Sequence, residues 1–190
     1  MSILTEKSPD FLVIQGIECP VHSDFRTWMK VSSLFEKVAE DISVIPDIFK
    51  LIFDKLPPNL LEALSEIMKF YSHSPIGAKK QSKKQADTQK KYFCFEYDAD
   101  LIYSAFCQQY HIDLCDTDMH WWKFKALLNG LTEDTQFVKV MQYRSVDLAK
   151  IKDKDQKRFY ANMKALYQLP DNRSEEEKEK RLNSALESMF

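Results

Sequence analysis

Cys107, His111 and Cys115 stand at i, i+4 and i+8, with His120 close behind, and thiolate plus imidazole is the ligand set that zinc prefers. The spacing matches no finger or knuckle, and a helix ending near His111 turns Cys115 away from the other two. Cys19-Pro-Val-His22 is an equally thin ligand set. A cysteine nucleophile needs a histidine base held by a third group. Four Cys and four His produce such combinations on composition alone. Asp98/Asp100 and Asp116/Asp118 are carboxylate pairs of the kind used in acid–base or magnesium chemistry. Each pair precedes an apolar helical run, so capping explains it better. His120-Trp121-Trp122-Lys123-Phe124 sets aromatics beside a cation, as in single-strand binding. Consecutive helical residues face different sides, whereas base stacking needs one exposed face, and core packing accounts for these rings. On this reading no residue is assigned to catalysis, to a metal or to a cofactor.

The elements that position these residues follow from periodicity. Phe11 to Val21 contains two short β-prone runs separated by Gln15-Gly16, the signature of a two-residue hairpin turn. Ser23 is a candidate cap for a helix carrying Phe25, Trp28, Met29, Val31, Leu34, Phe35 and Val38 at spacings of three and four. Pro46 suits the first position of a second helix, which Pro57-Pro58 stop. Asn59 caps a third, with Leu60, Leu61, Leu64, Ile67, Met68 and Tyr71 as its apolar positions.

Beyond residue 92, Phe93-Cys-Phe-Glu-Tyr97 alternates apolar and polar residues and reads as a strand or extended segment. Asp98 or Asp100 then caps a helix that ends at Tyr110-His111. Asp116 or Asp118 caps the next, which stops at Asn129-Gly130 in a left-handed cap. With Trp121, Phe124 and Leu128 on one side and Met119, Trp122 and Ala126 on another, that helix belongs at the centre of its domain. Thr132 caps a helix from Glu133 to Gln142. A last one runs to about Gln168, with Leu148, Ile151, Phe159, Met163, Leu166 and Tyr167 inward, and Pro170 closes it.

The fold class expected is mainly α: a small N-terminal β-hairpin packed on helices, followed by a C-terminal helical bundle. The expected divisions are 1–72 for the hairpin and its helices, 73–92 for a lysine-rich linker or loop, 93–169 for the bundle, and 170–190 for a charged amphipathic tail. Lys79 to Lys91 holds six lysines, one acid and no large apolar residue, so it cannot offset the entropy of ordering and reads as a solvated connector. In the tail, Leu182, Leu186 and Phe190 recur at i, i+4 and i+8. Such a stripe either docks on its own chain or enters a partner's groove.

Composition narrows the function classes. With only Gly16, Gly77 and Gly130, no phosphate-cradling glycine loop can be built. A net charge of −2 argues against a generally basic nucleic-acid surface. No apolar run approaches a membrane span and MSILTEKSPD lacks signal-peptide features, so a cytoplasmic protein with reduced thiols is expected.

The strings F-C-F-E-Y-D-A-D-L-I-Y-S-A-F-C-Q-Q-Y-H-I-D-L, M-H-W-W-K-F-K-A-L-L-N-G-L and F-V-K-V-M-Q-Y-R-S-V-D-L resemble the bacteriophage gene-product-fifteen family of siphophages and prophages of Gram-positive bacteria. The hairpin-and-helix opening, F-L-V-I-Q-G-I-E-C-P-V-H-S-D-F-R-T-W, is similar to that family's N-terminus. Resemblance runs from about Phe11 to Leu169. It implies a non-enzymatic tail-assembly chaperone that binds the tape measure protein, or a partner chaperone, in the host bacterial cytoplasm and is absent from the mature virion. A minor structural tail or connector protein is the alternative, and a thiol- or zinc-dependent enzyme a further one. Homo-oligomerisation is compatible with this reading, which involves no specific nucleic acid and no membrane. The contact residues expected are Leu182, Leu186, Phe190 and those around Trp28. One departure stands out: the family pattern implies glycine where this chain has His111, because a left-handed cap favours it.

Overall fold

The Gln15-Gly16 pair makes the turn its composition demands, with φ of 51° and 76°, so strands β1 (Phe11–Ile14) and β2 (Ile17–Pro20) pair antiparallel with Ile14 opposite Ile17. The register turns Leu12, Ile14 and Cys19 inward and leaves Val13 and Ile17 half exposed. The computed structural model describes residues 4–38, 41–73 and 92–170. Helices α1 (Phe25–Val38), α2 (Ile45–Ile52) and α3 (Leu60–Ser72) follow the hairpin. After them come α4 (Ala99–Tyr110), α5 (Trp121–Asn129), α6 (Gln136–Ser145) and α7 (Lys154–Leu166). The mainly helical class with an N-terminal hairpin holds.

The described residues up to 142 form one compact unit and those from 143 another. The first is built on stacked rings contributed from both sides of the lysine-rich segment. Phe124 stacks on Phe25 at 4.8 Å and on Phe106 at 5.2 Å, while Trp28 stacks on Phe70 at 4.5 Å and on Trp121 at 6.5 Å. Each such pair contributes about 0.5–1.5 kcal/mol beyond the area it buries. Ile14, Val31, Ile48, Ile52 and Ile67 fill the space around them and are fully buried. In the second unit Tyr143 meets the rings of Phe159, Tyr160 and Tyr167, and Arg144 Nε donates to the Tyr167 carbonyl.

Several local expectations are corrected. Asp24, not Ser23, caps α1, accepting from Arg26 N at 2.9 Å. Asn59 caps α3 as expected, but Leu60, Leu61 and Met68 are exposed and the buried stripe is Ala63, Ile67 and Phe70. Of the expected positions Ile67 is buried and Leu64 and Tyr71 pack against the core, so the face expected was too wide by Leu60, Leu61 and Met68. Phe93 to Tyr97 forms no strand: Asp98 Oδ2 accepts from Cys94 N at 2.9 Å and Asp98 N donates to Cys94 O at 2.8 Å, closing a turn instead. The α6 helix begins at Gln136, with Thr135 rather than Thr132 before it. The last helix begins at Lys154, capped by Asp153, so Lys154-Asp-Gln-Lys-Arg158 is its first turns, and α7 buries none of its residues.

Two chain reversals need separate comment. His111 ends α4 at φ 54°, so the position implied for glycine is left-handed and a histidine occupies it. Gly130 ends α5 at φ −90°, not left-handed; it is small because a Cβ there would lie 3.0 Å from the Tyr110 hydroxyl. Left-handed backbone costs a non-glycine residue about 1–2 kcal/mol, part of which a glycine gives back through its freer unfolded chain. His111→Gly is therefore expected to raise the unfolding free energy by about 0.5–1 kcal/mol and His111→Val to lower it, read from urea midpoints at unchanged slope.

Candidate functional site

The two tryptophans of the His120-Trp121-Trp122-Lys123-Phe124 run, joined by Lys125 and not by the exposed Lys123, have a definite task, and it lies at the end of another helix. The last carbonyls of α3 have no intrahelical donors. Trp122 Nε1 donates to Phe70 O at 2.9 Å, Trp121 Nε1 to Tyr71 O at 3.2 Å, and Lys125 Nζ to Tyr71 O at 2.8 Å and His73 O at 3.2 Å. Three side chains on consecutive faces of α5 thus cap α3, and the lysine charge sits where the α3 dipole is negative. Lys125 also lies 5.7 Å and 5.6 Å from the centres of the Tyr71 and Trp121 rings. Burial lowers its pKa from the usual lysine range.

His120, not Asp116 or Asp118, caps α5. Its Nδ1 accepts from Trp122 N at 3.0 Å, which obliges Nε2 to carry the proton that meets Pro9 O at 3.0 Å. Asp118 is fully exposed instead. Backbone bonds from Phe25 N to Met119 O and from Trp121 N to Ser23 O fasten the two helix starts to each other. Arg26 completes the tie: Nη2 reaches Leu114 O at 2.6 Å, Cys115 O at 3.0 Å and Thr117 O at 3.1 Å, while Asp24 holds Nη1. Burial lowers the pKa of His120 below its ordinary 6.5, against the Pro9 hydrogen bond and Asp10, which raise it. Burial and then the Lys125 charge lower that of His73, which stacks on Trp122 at 3.7 Å.

The other chemistry-bearing residues are dispersed. Among the described residues no three His, Cys, Asp or Glu side chains are grouped to hold a metal ion. Cys107 donates to Ile112 O at 3.5 Å, Cys115 is exposed, and Cys19 is buried with its thiol towards Ile17 O. His22 pairs with Asp54 at 3.0 Å on the surface. Tyr103 donates to Asp113 Oδ2 at 3.2 Å, and a hydrogen bond with Cys107 and the Asp113 charge push its phenol up to about 12, so it stays protonated. The expected contact residue Trp28 is fully buried, with Nε1 donating to His22 O at 2.8 Å, and it offers no surface. Leu182, Leu186 and Phe190, like the lysine segment 79–91, lie outside the described residues.

Two open grooves among the described residues are candidate contact surfaces. One, of about 340 Å³, runs between β1 and the C-terminal half of α3, with Phe11, Leu12, Phe70 and Trp122 in its walls and Glu66, Lys69 and His73 at its edge. The other, of similar volume, lies along α1: Met29, Leu34, Leu51 and Phe95 give it apolar walls, and Lys30, Lys37 and Glu96 a charged rim. The α1 residues are spaced helically, but nothing in a sequence says which half-buried positions border a groove. Neither Lys125 nor Arg26 was singled out from sequence, because their partners are backbone carbonyls far along the chain.

The family model described as bacteriophage Gp15 protein matches residues 4–169. The chain belongs to that family. No curated protein and no solved structure matches it. The match in this Gp15-family chain spans the whole capping assembly, both grooves and α7, and stops where the tail begins. No described helix is long and apolar enough to cross a membrane.

The capping geometry fixes two expected outcomes. Lys125→Met keeps most of the apolar stem but leaves the His73 carbonyl without that donor, and should cost about 1–3 kcal/mol in denaturant unfolding. An unfolded histidine takes up a proton near pH 6.5, whereas His120 and His73 resist it in the fold. Their contribution is therefore complete above about pH 6.5 and is lost as pH falls towards the lower folded values. Urea midpoints should drop between pH 7 and 5, and His120→Asn, which retains a capping oxygen, should flatten that fall.

Proposed function

We propose that this Gp15-family protein is a tail-assembly chaperone that binds the tape measure protein, or a partner chaperone, during construction of a long noncontractile phage tail. The reading is of a binding protein and not an enzyme. It is supported by family membership, by the resemblance to proteins encoded just before the tape measure gene, and above all by the groove along α1. Apolar walls from Met29, Leu34, Leu51 and Phe95 between Lys30, Lys37 and Glu96 suit the apolar stripe of a helical client, with the charges left at a wet rim. A long helical client held this way stays soluble until tube subunits replace the chaperone.

Co-expression with the neighbouring tape measure product tests it. The client should move to the soluble fraction and co-purify with this chain, and Leu34→Asp should weaken that complex at least tenfold while the Trp fluorescence of the stacked core is kept. A client no more soluble with this chain than without it rejects the reading. Mass spectrometry of purified virions adds a second check: a chaperone is missing from them, and finding this chain at stoichiometric level makes it a minor tail or connector protein instead.

A further inference from the structure

We propose that β1 accepts an added strand: an extended, uncharged peptide segment of a partner protein lies in the groove between β1 and α3 and pairs with the free backbone edge at Phe11 and Val13. This groove shares no residue with the one along α1, and the proposal goes beyond the client reading without depending on it.

Backbone direction along the hairpin defines the edge. Val21 N donates to Asp10 O at 2.8 Å and Ile14 faces Ile17 across the turn, so Asp10, Leu12 and Ile14 direct their backbone polar groups at the neighbouring chain. Phe11 and Val13 therefore direct theirs the other way. Among the described residues those N–H and C=O groups have no hydrogen-bond partner. The opposite edge is built differently: its outward positions on β2 are Glu18 and Pro20, a charge and a residue without an N–H, and both discourage pairing. β1 reads F-L-V-I and carries neither protection.

The groove of about 340 Å³ follows that edge. Phe11 and Val13 border it from one face of the hairpin and Leu12 from the other, so the space lies beside the strand and not over either face. From Pro9 to Val13 it spans about 13 Å, room for about five residues of extended chain. Its charges are already spoken for: Lys69 Nζ donates to Glu66 Oε1 at 2.5 Å, and burial, then the Lys125 charge, lowers the pKa of His73 and keeps it neutral at pH 7. A charged segment would lose water here and gain no partner, whereas an uncharged one matches the groove. Its main chain supplies donors and acceptors to Phe11 and Val13, and alternate apolar side chains meet the wall of Phe70 and Trp122.

Amide NMR on the full chain, with a capped Thr-Val-Thr-Val-Thr peptide as probe, tests the site. In the free protein the Phe11 and Val13 amides should exchange at least tenfold faster than those of Leu12 and Ile14, and the peptide should shift and protect them while Met29 and Leu34 stay unmoved. N-methylating one alternate set of the peptide's amides should weaken binding at least tenfold, and the other set should be tolerated. Val13→Pro, which removes an outward N–H where an edge strand tolerates it, should weaken binding as much with Trp fluorescence kept. The methylated peptides leave the protein unaltered, so they decide the matter if that variant does not fold. Phe11 and Val13 amides already protected in the free chain overturn the proposal, because the chain then covers its own edge. Protection that rises with protein concentration also overturns it, since a second copy is then the occupant. So does a probe that moves neither amide at millimolar concentration, or that binds equally with either set methylated.

Discussion

A helix that stops inside a protein leaves its last carbonyls facing a medium without water, and here the end of α3 sets that demand for the whole first unit. Trp121, Trp122 and Lys125 meet it from α5. Because the donors are three rigid or tethered side chains on one short helix, α5 can take only one position and rotation relative to α3. His120 then has to cap α5 from a fixed place, its other nitrogen picks up the chain before β1 at Pro9, and Arg26 gathers the loop carbonyls of Leu114, Cys115 and Thr117. The stacked rings of Phe25, Trp28, Phe70 and Phe124 fill what those polar ties enclose. Cap and core depend on each other: the rings exclude the water that would otherwise satisfy the carbonyls.

The residues that looked most chemical are therefore spent on architecture. Trp121-Trp122-Lys123 resembles a stacking platform for bases, yet the indole nitrogens face backbone oxygen and the rings face the core, while Lys123 is exposed and Lys125 is the lysine that reaches carbonyls. The same holds for the acids: Asp98 closes a turn and Asp24 caps a helix and holds an arginine. Among the described residues the α1 groove offers apolar walls beside charged side chains.

Local signals were legible where one residue type has one use. Gln15-Gly16 gave the hairpin turn, Asn59 the α3 cap, and Tyr110-His111 the end of α4. They failed where the choice depended on a neighbour outside the window. Leu60, Leu61 and Met68 are as apolar as Ile67 and Phe70, and only the position of β1 and α5 decides which row faces inward. Asp116 and Asp118 have the chemistry of caps, but α5 begins at Trp121, so His120 stands at the capping position and takes it. Nothing local marked the α1 groove, since its floor comes from α1, α2 and the turn at Phe95.

By itself the sequence determined a mainly helical chain with an N-terminal hairpin, the order of its helices, the lack of any glycine loop, and a resemblance strong enough to point to its family. These follow from periodicity, turn chemistry and residue type, which act over a few positions. Tertiary structure alone decided that residues before and after the lysine-rich segment share one core, and that Trp28 lies inside it. It also made Trp121, Trp122 and Lys125 the cap of α3. Those outcomes rest on hydrogen bonds and ring contacts between positions about fifty to ninety apart, such as Trp121 with Tyr71 and Arg26 with Leu114, and a carbonyl carries no mark in the sequence to say which distant side chain will satisfy it.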